Sequence, residues 1–281
     1  MDPRVSELQS LLKQNAGRFG NYQVLAPVAF SRIAGLSEFD YRQTQVALDE
    51  PRYRWLTENL DPSGFRVSEI GASLGYFSLM LAAEYEAHAA AYEAIDAYSR
   101  VTAIIADLCG VGDRVEAVPA SVSLHDLRSM PEVDLAISLN VLHHAGSSFD
   151  VALVSGASSW RSYAQRYLSL LAAKATYLFF QVGNVLNGRS LFDDETTLQF
   201  LQRLLQDSGW QVTNVGVIED FLRLNYDTYD PGALSKASVI TCHRNLQTGL
   251  VDYFKGEERV ATLETGLAHR PLWLCQRRDR P

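Results

Sequence analysis

Residues 66–83 read RVSEIGASLGYFSLMLAA, and this stretch decides the fold. Val67 to Ile70 is a short run that reads as a strand, Gly71 and Gly75 mark a tight turn, and from about Tyr76 the chain is apolar nearly all round, as in a buried helix. A strand, a glycine-bearing turn and a helix in that order put the turn at the carboxyl end of a parallel strand, where α/β sheets bind ligands. A side chain at Gly71 or Gly75 would hold a ligand off the backbone or force a positive φ at a cost. Glu69 ends the strand with its carboxylate beside the turn, which suits a cationic or hydroxylated ligand and disfavours a pyrophosphate. The G-x-x-x-G spacing lacks the G-x-G with which dinucleotide-binding dehydrogenases bring backbone against phosphate. Alone, the turn points to an α/β ligand site and nothing finer, with a bare structural connection as the competing reading.

The rhythm continues on the carboxyl side. His88 to Glu93 reads as a second strand, and Asp96 reads as the cap of a helix whose Val101, Ile104, Ile105 and Leu108 recur at helical spacing before Gly110. Glu93 thus stands at a strand's carboxyl end, where nucleoside-binding folds use an acidic side chain to accept hydrogen bonds from ribose hydroxyls. Arg114 to Pro119 gives a third strand, followed by Ala120 and Ser121. Val133 to Leu139 gives a fourth, almost continuously apolar as a buried parallel strand should be, and it runs into Asn140, Val141, Leu142, His143 and His144.

A helix over Trp160 to Lys174 precedes a fifth strand, Ala175 to Val182, whose end (Gln181 through Asn184) points to the same crevice. Asp193 and Asp194 open a helix closed by Ser208 and Gly209, and Trp210 to Ile218 is a sixth strand. Five βα units in succession imply a parallel sheet with right-handed crossovers. From Glu219 to His269 the rhythm lapses before a final strand, Pro271 to Gln276; an insertion of that size serves as a substrate lid or a homodimer contact.

E-x-G-x-S-x-G-Y-F-S, an acidic second strand end and then SLNVLHH resemble the S-adenosylmethionine-dependent methyltransferases of the seven-strand Rossmann-like class, over roughly Leu60 to Ile218. The family's turn often carries a middle glycine, where this chain has Ser73. The resemblance implies a three-layer α/β fold, with about seven mostly parallel strands, an antiparallel last strand and an N-terminal helical extension (1–60) before the cofactor-binding domain (61–281). It implies S-adenosyl-L-methionine as cofactor, held by Glu69, Gly71, Ser73, Gly75, Tyr76 and Phe77 from the first unit. Glu93, Ala94, Ala120, Ser121 and Asn140 join them from the following strand ends. Near the adenine ring the family often has an acidic residue; here Ser121, a backbone group or Asp126 would substitute.

The loop after the fourth strand passes, in that family, between cofactor and acceptor. His143 and His144 there are candidate bases, because imidazole titrates near neutrality and can take a proton from a hydroxyl or amine. The competing reading is packing and loop hydrogen bonding, since similar L-H-H segments serve that purpose in the family. A metal site is not expected: adjacent residues point different ways, and no H-x-x-x-H or carboxylate spacing completes one.

Before the organising stretch, Leu8, Leu11 and Leu12 give one helical face, broken at Gly17, Gly20 and Asn21. A helix restarts at Pro51 and carries Tyr53, Trp55, Leu56 and Leu60, either covering a substrate pocket or sealing the sheet edge. The 281 residues suffice for one large core with a cap, and 47% apolar with 21% charged residues is ordinary globular composition. No apolar run approaches the ~20 residues that span a bilayer. With a polar, amphipathic start, the expectation is a cytoplasmic protein without membrane contact.

The net charge of −8 argues against a nucleic-acid partner, and the basic cluster Arg277, Arg278 and Arg280 reads as a solvated tail. Cys109, Cys242 and Cys275 are far apart without C-x-x-C spacing, are odd in number, and read as reduced and buried. The N-P-P-Y signature of amino-group methylation is absent; with an acidic protein and aromatic flanking segments a small-molecule acceptor is the leading expectation, methylated at oxygen if a histidine serves as base, with carbon and nitrogen acceptors open. The rivals are a methyltransferase acting on RNA or protein, a nicotinamide-dependent oxidoreductase, and a fold-sharing protein without catalysis.

Overall fold

The structure, a computed structural model, describes residues 2–15, 23–36, 48–186, 189–192, 197–233, 240–245, 247–263 and 267–279. The expected break at Gly17, Gly20 and Asn21, the helix start at Asp193 and Asp194, and Arg280 lie outside those residues. Helices α1 (Pro3–Asn15), α2 (Pro27–Arg32) and α3 (Asp49–Asn59) precede strand β1 (Arg66–Ile70). The chain then alternates through α4 (Tyr76–Tyr85), β2 (His88–Glu93), α5 (Asp96–Leu108), β3 (Val115–Pro119), α6 (Asp126–Ser129) and β4 (Val133–Leu139). Next come α7 (Ala157–Ala172), β5 (Ala175–Gln181), the short pair β6 (Val185–Leu186) and β7 (Arg189–Ser190), α8 (Thr197–Asp207) and β8 (Trp210–Ile218). Strands β9 (Tyr226–Tyr229), β10 (Ile240–Arg244), β11 (Val251–Lys255), β12 (Glu258–Leu263) and β13 (Leu272–Arg277) close the chain.

An eight-stranded sheet has the order β3-β2-β1-β4-β5-β13-β8-β9. Strands β1, β2 and β3 pair in parallel, whereas β13 is antiparallel to both β5 and β8. The order reverses direction between β1 and β4, the kind of switch point at which open α/β sheets bind ligands. The eighth strand, one more than expected, is β9, which lies antiparallel along β8. Where the sequence rhythm lapses, β10, β11 and β12 form a separate antiparallel sheet.

By contacts the chain divides into two compact units: Met1–Asp49, Leu60–Val122 and Val133–Ile137 in the first, Glu50–Asn59, Ser123–Glu132 and Ser138–Pro281 in the second. The first 60 residues therefore divide, α1 and α2 going with the first unit and residues 50–59 with the second. In the first unit, α1 packs on α5 and buries Val5, Leu8 and Leu12, while α5, packed also on β2 and β3, buries Val101, Ile104 and Ile105. Helix α4 is buried on every side from Tyr76 to Ala82, as its unbroken apolar sequence requires. In the second unit Trp160, Tyr167, Phe179, Phe180, Trp210 and Trp273 are fully buried. Trp55 of α3 stacks on Phe179 with ring centroids 5.9 Å apart.

Several boundaries shift for local reasons. Helix α3 starts at Asp49, with Pro51 still in its first turn, and α7 starts at Ala157, where the Ser159 hydroxyl accepts hydrogen bonds from the Ser155 and Gly156 amides. Asp96 is not the cap of α5: Ile95 holds that position, its amide donating to the Glu93 carboxylate at 2.8 Å, and Asp96 begins the first turn. Among the described residues no helix is long and apolar enough to cross a membrane, and no group of three or more potential metal ligands converges.

Candidate functional site

The turn after β1 is built from three residues with positive φ: Gly71 at 72°, Ser73 at 51° and Gly75 at 73°. Gly71 and Ala72 donate their amides to the Tyr92 carbonyl at 2.8 and 2.9 Å, which ties the turn to the end of β2. Ser73 occupies a left-handed conformation that glycine would take without strain, so the position conventionally held by a middle glycine keeps its backbone shape here. The Ser73 amide donates to Oε2 of Glu93 at 2.8 Å, and with Ile95 bound to Oε1 both carboxylate oxygens are fixed by backbone. Gly75 cannot carry a Cβ, which would lie 2.4 Å from Cγ2 of Thr102 on α5.

Glu69, only 3% exposed, accepts from the amide and hydroxyl of Ser78 through Oε2, at 2.9 and 2.5 Å. Its Oε1 has no hydrogen-bond partner among the described residues. Burial raises its pKa from 4.5 to about 7; the Ser78 bonds oppose that rise, and the charges of Asp49 and Glu93 add to it. Tyr76 and Phe77 bury their rings in the core, in edge contact at 5.6 Å, so they bring backbone rather than side chain to the turn. Ala94 and Ser121 are exposed and Ala120 half-buried, each directly after a strand end. Asp126 is turned to Ser123, accepting from its amide and hydroxyl at 2.9 and 2.6 Å.

Sequence reasoning missed Gln23. Its Oε1 accepts from the amides of Leu74 and Tyr76, at 2.8 and 3.4 Å, capping the start of α4 from a distant segment with no motif of its own.

In the second unit, Asn140 ends β4 with φ 59°, a conformation Asn tolerates better than most residues. Its amide donates to the Gln181 carbonyl at 2.7 Å and its Nδ2 to Gln181 Oε1 at 2.8 Å. Oδ1 accepts from Nη1 of Arg270 at 2.7 Å, and Gln181 Nε2 donates to the Arg270 carbonyl at 2.8 Å. Both polar atoms of the Asn140 side chain are thus engaged, Nδ2 with Gln181 and Oδ1 with Arg270, the second residue the sequence did not single out.

His143 and His144 lie on one 3-10 turn with ring centroids 4.1 Å apart. Nδ1 of buried His143 accepts from the Gly183 amide at 3.3 Å, which assigns its proton to Nε2. Burial first, then His144 and Arg270, push the His143 pKa down to about 3, and burial and Arg270 lower that of the exposed His144. Both imidazoles are neutral near pH 7. Gly183 leaves the room they need, because a Cβ there would lie 2.9 Å from Nε2 of His143 and 3.0 Å from Cζ of Arg270.

No protein-family profile matches the chain, and no curated protein matches it in sequence. Solved structures do match. The high-resolution structure of WbdD is 16% identical with a TM-score of 0.53, over 89% of this chain and 53% of WbdD. A second structure, of the bifunctional kinase-methyltransferase WbdD, is 15% identical with a TM-score of 0.51, over 89% and 54%. Magnesium protoporphyrin IX methyltransferase (ChlM) from Synechocystis PCC 6803, solved with bound SAH, is 12% identical over 82% of this chain and 81% of its own, with a TM-score of 0.45. The chain spans about half the length of WbdD. It has the class I, Rossmann-like methyltransferase fold.

Proposed function

We propose that the chain is an S-adenosyl-L-methionine-dependent methyltransferase whose acceptor is an oxygen atom of a small molecule. The observation that carries this reading is the Glu69–Gly75 turn knitted to Glu93. The backbone occupies one acceptor position on each Glu93 oxygen and leaves one on each, which fits the two hydroxyls of a ribose. Glu69, 3% exposed and bonded to Ser78 through Oε2, has its Oε1 to offer a cationic group of the same ligand. The glycines at 71 and 75 and the Ser73 backbone let that ligand approach the main chain.

When bound, S-adenosyl-L-methionine supplies a sulfonium methyl for a single in-line displacement. The protein's part is then alignment and exclusion of water, which contributes on the order of 7 to 11 kcal/mol in well-positioned reactions. His143, with Nδ1 held by Gly183 and its proton on Nε2, positions the loop; the neutral, exposed imidazole of His144 is the group that takes the acceptor's proton. The fixed charge of Arg270 beside the pair favours an acceptor that becomes anionic, which supports oxygen as the methylated atom. The net charge of −8 supports a small molecule over a nucleic acid.

Calorimetry of the full chain with S-adenosylmethionine, S-adenosylhomocysteine and NAD tests the cofactor. The first two are expected to bind and the third not; NAD binding alone would transfer the chain to the oxidoreductases. Glu93→Gln is expected to weaken binding about tenfold or more, the scale of a hydrogen bond to a charged group. Radiolabelled methyl transfer to hydroxylated small molecules, RNA and protein then tests the acceptor, and label appearing in either macromolecule overturns that part of the reading.

A further inference from the structure

Cys242 lies on β10 with its sulfur 3.4 Å from Nδ1 of His269, within sulfur hydrogen-bond range. Both residues are half-buried, so Cys242 is not the buried thiol the sequence led us to expect and keeps part of its surface open. The other two thiols are differently placed. Cys109 is buried with Sγ donating to the Val28 carbonyl at 3.6 Å, and burial pushes its pKa up to about 11. Cys275 is fully buried in β13, and burial raises it further. None of the three is in a disulfide.

The imidazole is held where it is by an independent contact. Tyr253, which faces Cys242 across the β10–β11 pair, is fully buried and accepts the Ala268 amide on its hydroxyl at 3.3 Å. Its ring lies 6.4 Å from that of His269. Residue 268 is therefore pinned to the strand beside Cys242, and the next side chain in the chain, His269, is delivered to the sulfur.

We propose that Cys242 and His269 form a thiol–imidazole pair, a nucleophilic site outside the methyl-transfer machinery that reacts with low-molecular-weight disulfides to give a mixed disulfide on Cys242. A positioned imidazole accepts the thiol proton and leaves the thiolate, the reactive form. The Cys242 sulfur attacks one sulfur of the reagent and a new S–S bond forms while the reagent's own S–S bond breaks. The departing sulfur leaves with the electron pair and takes the proton from the imidazolium; the reagent disulfide is the oxidant and its leaving half is the reduced product.

The test exposes the full chain to glutathione disulfide from pH 5.5 to 9 and follows each cysteine-containing peptide by mass spectrometry. Cys242 is expected to be modified at least about tenfold faster than Cys109 or Cys275, with half its maximal rate below the ordinary thiol midpoint of about 8.5. His269→Gln is expected to move that midpoint up to the ordinary value and slow modification at pH 7 by about tenfold. A midpoint at or above about 8.5 in the unaltered chain overturns the proposal whether or not the variant folds, as does a profile that His269→Gln leaves unchanged. Methyl transfer is not read in this experiment, so its result stands apart from the assignment of the cofactor.

Discussion

Glu69 is the residue at which electrostatics and the proposed chemistry meet. Its pKa rises from 4.5 unfolded to about 7 folded, so between those values the native state binds the extra proton. The stability that proton confers is fully present below pH 4.5 and is lost as pH rises through 7, on the order of 3 kcal/mol in all. Chemical denaturation from pH 4 to 8.5 should show that decline in the unliganded chain, and Glu69→Gln should flatten it; equal slopes in both proteins would remove Glu69 as its source. A cation delivered to Glu69 favours the carboxylate, so S-adenosylmethionine affinity should rise with pH up to about 7 and level off beyond. Gly183 gives a second residue-scale expectation. Gly183→Ala must displace His143 or Arg270, at about 1 to 3 kcal/mol of stability. Turnover should fall while cofactor affinity, read by calorimetry, stays within about twofold, since the residues displaced are those assigned to the acceptor. Loss of cofactor affinity instead would contradict that division of labour. The glutamates and glycines were legible in the sequence because strand and turn place them by local rules. Arg270 was not: it meets Asn140 across 130 positions of sequence, and no local pattern marks a contact made only by tertiary folding.

Elements with one continuous environment were the most legible. Strands β4 and β8 run exactly where their apolar runs do, and α4 begins at Tyr76 because the Gly75 turn precedes an all-apolar stretch. Strands β9 to β12 were missed for the opposite reason. Strand β12 has no buried residue, β9 buries only Tyr226, and β10 only Ile240, so these three write no period-two pattern, and in β11 the alternation of buried Val251 and Tyr253 is too short to stand out. Ser73 shows the limit of motif reading: serine departs from the glycine consensus, yet the backbone keeps φ at 51° because Glu93 and the flanking glycines hold it. The β1–α4 turn should accordingly be intolerant at its last glycine. Gly75→Ala forces an alanine to φ 73° and drives its Cβ to 2.4 Å from Thr102, a combined cost on the order of 3 kcal/mol. Thr102→Ala removes the steric part only, so a double-mutant cycle by thermal denaturation should recover about half the loss. Full additivity of the two substitutions would show that the clash with α5 is not what excludes a side chain there.

At the scale of the whole molecule, the amino-terminal 60 residues serve two units with different needs. The first unit takes from them the α1 face that packs on α5 and the Gln23 side chain that caps α4. The second takes residues 50–59. There Trp55 stacks on Phe179 and donates Nε1 to the Thr228 hydroxyl at 2.9 Å, and it fills the space above Gly216, where a Cβ would lie 2.8 Å from its ring. Asn59 adds a bond from Asn214 at 3.0 Å. Burying a tryptophan this completely is worth about 3 to 5 kcal/mol, a large share of the 5 to 15 that hold a typical protein together. Two truncations separate these roles. A chain starting at Leu48 should lose cofactor binding and protection of α5 from hydrogen exchange, while strands β5, β8 and β13 remain protected. A chain starting at Asp61 should lose protection in those three strands as well, and Trp55→Ala in the full chain should reproduce that second loss while leaving α5 protected. If both truncations exposed the same peptides, α3 would have no part in the second unit's core, and the aromatic stack on Phe179 would contribute nothing to holding it together.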